Sequence, residues 1–267
     1  MMPNDVVEKK RHGLKPHSIQ PPMLRPFLAL VSLFLAAGFC RADVSTRSEK
    51  TFPARPDVVV SLTNVNGSID VQGWDKPEVS LVAEKSATTT AALEKIRIEI
   101  DARPDHIAIK TDYPHRFFES SRGSVRYWLR VPAAAAIDKI ESVNCPIAIK
   151  GVEGSTAISS VNGKIAITGL SSSLSLETVN GSARIEVTRL PAGSELKLHS
   201  VNGALDLALP AQVSARFDIS TVGGRVTSAF PLASSGFIGR SFHGTTGSGD
   251  ARVQIDTVNG TVAIAQR

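Results

Sequence analysis

The residues with the clearest chemical potential are two aspartates at the same place in a recurring phrase. Asp70 and Asp206 each stand four residues after the Asn of a Val-Asn-Gly sequence. Carboxylates gathered on one face of a β-structure are what a carbohydrate-cleaving enzyme needs for acid and base catalysis. The equivalent positions elsewhere are Ala148, Ala166, Arg184, Thr227 and Ala263. This set predicts a solvated face rather than a catalytic row.

Cys145 is the second candidate, because a thiolate can act as a nucleophile. It takes the place of Gly in one copy of the phrase and is followed by Pro146. No helix, His partner or acidic orienting residue is near it in the sequence. A small residue in a variant turn is therefore favoured, with an intermolecular disulfide or a reactive thiol as alternatives.

Other chemical signatures are weak. The histidines at 106, 115, 199 and 243 are far apart in sequence, and no metal-ligand spacing or nucleophile motif is present. The segment from Gly244 to Gly249 lacks the Lys of a phosphate loop and indicates a turn. Aromatic residues lie among basic ones in the loop from Tyr113 to Arg122, and Trp74, Tyr127 and Trp128 are possible neighbours in a contact surface. The favoured interpretation is that the loop packs its aromatic side chains against the fold. We predict no catalytic residues, cofactor or metal, and hence no enzyme.

The dominant feature is the recurring phrase itself, which predicts a repeat protein. Its Asn position falls at 144, 162, 180, 202, 223 and 259, in steps of 18, 18, 22, 21 and 36 residues, and the last step is long enough for a degenerate copy. Asn and Gly suit tight bends that require positive φ. The predicted structural turn positions are Asn66, Gly67, Asn144, Asn162, Gly163, Asn180, Gly181, Asn202, Gly203, Gly223, Gly224, Asn259 and Gly260.

Apolar residues keep fixed distances from each Asn. They stand four residues before it, as Ile158 does, and three and five after it, as Ile165 and Ile167 do. The spacing of two is the strand period, and the change of parity across the phrase indicates a bend between two strands. Lys164, Arg184 and Asp206 are expected to face water.

Two arrangements fit this pattern. Asn-Gly between alternating apolar runs is a strong hairpin signal, which would give an antiparallel β-meander or sandwich. Near-identical phrases at near-constant steps favour an all-β, repeat-built β-solenoid, like a single-stranded β-helix, with an N-terminal β cap. In that stack the Asn residues would lie about 4.8 Å apart and form an amide ladder. The small polar residue two positions before each Asn would hydrogen-bond at the same corner.

Several motifs together resemble the bacterial DUF4097 family of adhesin-domain proteins. They are the Val-Asn-Gly phrase followed by alternating Ile and Val, the Val131-Pro132 junction, and Gly247-Ser-Gly249 leading into the segment 253–260. The resemblance covers roughly residues 55 to 267. It implies an exported, β-helix-like domain and carries over no catalytic residue.

The first 42 residues are predicted to be a secretory signal peptide. Arg25 precedes an apolar run from Phe27 to Cys40, too short for a spanning helix, and Ala42 offers a small residue at the cleavage point. Met23 would give a leader of ordinary length, and lipidation of Cys40 is disfavoured because Phe39 precedes it. Residues 43–56 are predicted to be a flexible leading segment, 57–132 an N-terminal β part or cap, and 133–267 the Val-Asn-Gly solenoid.

The charge balance argues against nucleic acid as a partner. Residues 1–42 hold six basic and two acidic side chains, so they contribute +4 of the chain's net charge of +5. The remaining chain is nearly neutral and has no basic surplus to capture a polyanion.

We therefore expect an exported, non-enzymatic, adhesin-like module of the periplasm or cell surface. Its partner would be an unknown protein or glycan of the envelope, and it would have no permanent membrane span. The alternatives are a polysaccharide-acting enzyme on the same scaffold and a structural envelope protein that assembles end to end.

Overall fold

The computed structural model describes residues 43–113, 123–236 and 239–267. The predicted signal peptide, with Met23 and Cys40, lies outside these residues, as does the loop 114–122 with its basic and aromatic side chains. The described residues are almost entirely β-strand, as predicted, with one short helix, α1 (Thr90–Lys95). No helix among them is long and apolar enough to span a membrane.

Sixteen strands of the described residues form one hydrogen-bonded sheet. They are β1 (Val44–Pro53), β2 (Val59–Trp74), β3 (Glu78–Ala87), β4 (Arg97–Arg103), β5 (His106–Asp112), β6 (Gly123–Pro132), β7 (Ala136–Asn144), β8 (Ile147–Lys150), β9 (Thr156–Leu170), β10 (Leu174–Val187), β11 (Glu195–Leu209), β12 (Ala215–Thr221), β13 (Arg225–Ser228), β14 (Ala233–Ser235), β15 (Arg240–Thr246) and β16 (Ala251–Gln266).

The predicted apolar positions form the core. In β9, Ile158 is buried before the bend and Ile165 and Ile167 are buried after it, so the buried parity changes at Val-Asn-Gly as the spacing predicts. The long strand nevertheless continues through the bend. Two copies are interrupted: one between β7 and β8, where Pro146 has no N–H to donate to a neighbouring strand, and one between β12 and β13, at Gly223 and Gly224.

The central part of the sheet is a stack of parallel layers, each made of one bent strand or two shorter strands in line. Three layers consist of two strands in line: β5 and β6, β7 and β8, and β12 and β13. The order of the layers along the stack is β5/β6, β2, β7/β8, β9, β10, β11, β16 and β12/β13. Equivalent positions are in register, since Asn162 lies opposite Asn144 on one side and Asn180 on the other. Val-Asn-Gly is therefore a corner within a strand and not the turn of an antiparallel hairpin.

The layers are not stacked in chain order. Strand β16 lies between β11 and β12, and β2 lies between β6 and β7. The 36-residue step before Asn259 does not hold a degenerate copy of the phrase. It holds β14 and β15, which pair antiparallel with each other, and β15 pairs antiparallel with β12.

Antiparallel strands also flank the other end of the stack, where β3 pairs with β6 and β1 pairs with β3. Helix α1 follows β3. It begins after Thr89, whose side chain accepts a hydrogen bond from the N–H of Ala92. The boundary at 132/133 stays a prediction, although β2 from the N-terminal part pairs directly with β7 and β8.

Candidate functional site

The predicted turn asparagines form one continuous amide ladder on the outside of the corner. In each step the Nδ2 of one Asn donates to the Oδ1 of the Asn in the neighbouring layer. The six residues in order are Asn66, Asn144, Asn162, Asn180, Asn202 and Asn259, and the donor–acceptor distances are 2.9, 2.9, 3.3, 3.1 and 3.4 Å. Because the side-chain amides hydrogen-bond to one another, the role of these asparagines is structural.

The ladder ends where the sequence departs from the phrase. The last layer has Gly223 in place of Asn, and a Cβ there would lie 2.8 Å from the Oδ1 of Asn259. Gly224 follows, and its N–H donates to the Oγ1 of Thr221 over 2.8 Å.

The predicted turn glycines are required for two different reasons. Gly67, Gly163 and Gly203 have φ of 133°, 156° and 152°, in the range that side chains avoid. Gly181, Gly224 and Gly260 fall outside that range, but a Cβ on any of them would lie within 2.3 Å of a carbonyl oxygen of the next layer. Close approach of the layers therefore excludes side chains even where φ does not.

The small polar residue two positions before each Asn faces the core. These residues are Ser142, Ser160, Thr178, Ser200, Thr257 and Thr221, and all are buried. The Oγ atoms of Ser142 and Ser160 lie 2.9 Å apart. The hydroxyls of Thr178, Ser200 and Thr257 have no hydrogen-bond partner among the described residues, so the predicted hydrogen bonding of this row is wrong for them. The corner thus carries exposed amides outside and buried hydroxyls inside, and the amides already hydrogen-bond to one another.

Asn64 takes the inner place in β2 and joins a buried polar cluster around Cys145. Its Nδ2 donates to the carbonyl of Val125 over 2.9 Å and lies 3.4 Å from the Sγ of Cys145, and its Oδ1 accepts from the hydroxyl of Tyr113. Cys145 has no solvent exposure, and burial raises the pKa of its thiol to about 12. This supports the prediction that Cys145 serves as a small residue at the corner, and it argues against a reactive thiol.

The two aspartates that share an offset do not meet. Asp70 lies in β2 and Asp206 in β11, with the layers that contain Ala148, Ala166 and Arg184 between them. Asp206 instead pairs with Arg184 at 3.4 Å. The predicted solvated face is present in this part of the stack. Among the described residues no cluster of His, Cys, Asp and Glu is placed to hold a metal ion.

Asp70 lies in a different setting, an open depression of about 780 Å³ that we call the outer groove. Its floor is the outward face of the strand halves that follow the corner. One row contains Trp128, Asp70, Ala148 and Ala166, and the next contains Arg130, Gln72, Lys150 and Thr168. Strand β3 adds Ser80 and Val82, and β1 adds Arg47 and Glu49.

Side-chain size explains where the outer groove lies. Ala148 and Ala166 leave the floor low because each has only a methyl group. On one side Trp128 stands beside Asp70, and on the other β10 places Arg184 opposite Ala166. The depression therefore spans the few layers in which small residues separate larger ones.

Two tryptophans fix the arginines of the outer groove. The guanidinium of Arg47 lies 5.5 Å from the ring centre of Trp128, and that of Arg130 lies 5.8 Å from the ring centre of Trp74. Lys76 also contacts the Trp74 ring, at 5.0 Å. Cation–π contacts of this kind hold a charge near an aromatic surface while leaving its hydrogen-bond donors free.

Burial raises the pKa of the Asp70 carboxyl above its ordinary value. The cause is partial loss of water around the carboxylate, which disfavours its charged form. No salt bridge links Asp70 or Glu49 to Arg47, Arg130 or Lys150 in the part of the chain that the structure describes. The outer groove thus offers charges of both signs that are not neutralised by one another.

One residue that the sequence marked, Trp128, lines the outer groove, although the sequence predicted no groove. The sequence marked Trp74, Tyr127 and Trp128 as possible contact residues, and the structure places both tryptophans on the outer face. Tyr127 is instead fully buried, and its hydroxyl lies 2.7 Å from the Oγ1 of Thr111, because alternate residues of β6 face inward. Arg47 and Glu49 were missed, since no local pattern shows that β1 lies beside β3.

Known proteins resemble this chain in sequence and in fold. The sequence model of the family described as Toastrack DUF4097 matches residues 118–265. No curated protein matches the sequence. A Clostridium sporogenes ATCC 15579 protein, provisionally named a cell adhesion protein, has a TM-score of 0.50 and 12% identity, over 83% of this chain and 100% of its own. A Bacteroides fragilis NCTC 9343 protein, provisionally named an adhesin, has a TM-score of 0.40 and 11% identity, over 82% and 97%. At 12% identity the first of these likenesses shows the fold alone.

Proposed function

Because the chain belongs to the Toastrack DUF4097 family, we propose that it is an exported, non-enzymatic, adhesin-like protein that binds a component of the cell envelope or cell surface. In this proposal the stack of layers is a β-solenoid that holds the outer groove rigid. The Clostridium sporogenes protein of the same fold is provisionally named for cell adhesion, which agrees with this class of function.

The outer groove is the observation that carries the proposal. It combines an aromatic ring, an amide, hydroxyls and unpaired charges in about 780 Å³, and convergent polar groups in one depression are typical of ligand sites. Its residues lie on paired strands rather than on loops, so little ordering entropy would be lost on binding.

A polysaccharide-acting enzyme is the second candidate, because Asp70 and Glu49 line the same depression. Burial raises the pKa of Asp70, as a general acid requires. Val82 and Trp128 lie between the two carboxylates along the row of the sheet, however. We favour binding, since a catalytic pair must face the two sides of one bond.

The test is binding of the purified protein to isolated cell-envelope fractions and to a glycan panel. Ala166→Trp fills the floor of the outer groove. Ala263→Trp is the matched control, because Ala263 occupies the same offset from its Asn but does not line the outer groove. We expect Ala166→Trp to lose binding and Ala263→Trp to keep it.

Equal binding by both variants would contradict the proposal that the outer groove is the site. Turnover of a bound glycan that disappears in both Asp70→Asn and Glu49→Gln would establish the enzyme instead. Turnover is measured as the release of new reducing ends from the glycan.

A further inference from the structure

The charges of the outer groove specify what it binds. Arg47, Arg130 and Lys150 approach from three different strands and have no carboxylate partner among the described residues. Elsewhere on the same face, Arg184 is neutralised by Asp206 at 3.4 Å. An arginine held in place with free donors is suited to bidentate binding of a planar anion such as a carboxylate.

The same depression also holds hydrogen-bond acceptors. Asp70 lies between Trp128 and Ala148 in one row, and Gln72 lies beside Arg130 in the next. A carboxylate and an amide can accept hydrogen bonds from hydroxyl groups. A ligand whose phosphate groups each carry more than one charge would be repelled more strongly by Asp70 and Glu49 than one with single carboxylates, and a neutral ligand would leave three cations without partners.

We propose that the outer groove binds an oligosaccharide that carries carboxylate groups, that is, a uronate-containing glycan. Its carboxylates would pair with Arg130, Lys150 and Arg47, and its hydroxyls would donate to Asp70 and Gln72. The exposed part of the Trp128 ring would contact the apolar face of a sugar. This inference rests on the proposed function, since it names the ligand of the same site.

The experiment compares oligogalacturonate with its methyl ester, which has the same sugar ring and no negative charge. Affinity is measured by titration calorimetry at two salt concentrations. We expect the free acid to bind at least about tenfold more tightly than the ester, with an advantage that shrinks as salt rises.

Variants test that advantage at two of the three cations. Arg130→Gln and Lys150→Gln should each weaken binding of the acid severalfold and leave binding of the ester nearly unchanged. Arg225→Gln is the control, because it removes an exposed cation of β13, several layers away from the outer groove. It should bind both ligands as the unsubstituted protein does.

Equal affinity for acid and ester would overturn the inference. So would stronger binding to inorganic phosphate or to vesicles of anionic phospholipid, which would identify a phosphate-bearing ligand. Either result would leave the proposed function standing, provided that the protein still binds the envelope fractions and Ala166→Trp still abolishes that binding. Loss of all binding to envelope fractions would contradict both.

Discussion

Glycine is needed at the corner because neighbouring layers approach each other most closely there. A Cβ on Gly181 would lie 2.3 Å from the carbonyl oxygen of Gly163, whereas a Cβ on Gly193 would have no neighbour within 4 Å. Gly193 instead has a φ of 78°, which only strains a side chain locally. The two positions separate steric crowding from backbone strain.

We predict that Gly181→Ala destabilises the protein more than Gly193→Ala does. Gly193→Ala should lower the free energy of unfolding by about 1–2 kcal/mol, the cost of placing a side chain in the left-handed conformation. Gly181→Ala forces the layers apart and should lower the free energy of unfolding by more than about 2 kcal/mol. The free energy of unfolding in urea measures both, and equal costs would show that the corner tolerates a side chain.

Asp70 gives a prediction about pH. Burial raises its folded-state pKa above the value of 3.8 for a free side chain, so the fold disfavours the charged form. The resulting contribution to stability is complete below the unfolded pKa and is lost as the pH rises through the folded pKa. Relative to Asp70→Asn, the unsubstituted protein should lose stability as the pH rises from below 3.8 through the folded-state pKa of Asp70.

Thermal unfolding across that pH range measures the difference. Asp206→Asn serves as the control, because it removes a carboxylate from the same offset that is paired with Arg184. A constant difference between Asp70→Asn and the unsubstituted protein would mean that the site does not disfavour the charge.

At the scale of the element, the amide ladder links layers that come from distant parts of the chain. Asn162 donates to Asn144 and accepts from Asn180, whereas Asn259 makes one ladder bond, to Asn202. Each of these bonds is exposed to water, so each contributes modestly.

We predict that Asn162→Ala costs about twice as much as Asn259→Ala. At about 0.5–1.5 kcal/mol for each bond, the two losses are about 1–3 and 0.5–1.5 kcal/mol. Urea unfolding of both variants checks the ratio. Equal losses would indicate that the residues act only as turn formers and not as a ladder.

The strand faces could be predicted from the sequence, and the order of the layers could not. The apolar spacing around Asn162 identifies Ile158, Ile165 and Ile167 as core residues because strand parity is a local property. The β11 and β16 phrases are alike, so local pattern gives no preference for which layers become neighbours. Between β12 and β16 the chain passes through β14 and β15, whose short polar sequences carry no clear strand signal.

The outer groove shows the same limit. The offset of Asp70 and the small size of Ala148 and Ala166 are visible in the sequence. Their proximity to Trp128 requires the pairing of β6 with β2, between which β3 to β5 intervene. A site assembled from strands distant in sequence leaves no spacing motif to detect.

For the whole molecule, the position of β16 makes the C-terminal strand part of the interior of the stack. It pairs with β11 on one side and with β12 and β13 on the other. Strand β1, in contrast, pairs on one side only among the described strands, with β3.

We predict that removal of residues 251–267 abolishes cooperative unfolding, because it separates β12 to β15 from the remaining layers and exposes their buried faces. Removal of residues 44–53 should lower the melting temperature and leave one cooperative transition. Calorimetry of the two truncated proteins distinguishes them. A folded protein without β16 would contradict the topology.

The most direct test of the central claim uses the fluorescence of Trp128 itself. The chain has two tryptophans, so Trp74→Phe leaves Trp128 as the only reporter, within the outer groove. Titration of this variant with an envelope glycan that the protein binds should give a saturable change in emission. The change should disappear when Ala166→Leu, which fills the floor without adding a fluorescent ring, is combined with Trp74→Phe. It should persist when Ala263→Leu is combined with Trp74→Phe instead. Binding detected by sedimentation with no change in Trp128 emission would place the ligand elsewhere and contradict the account.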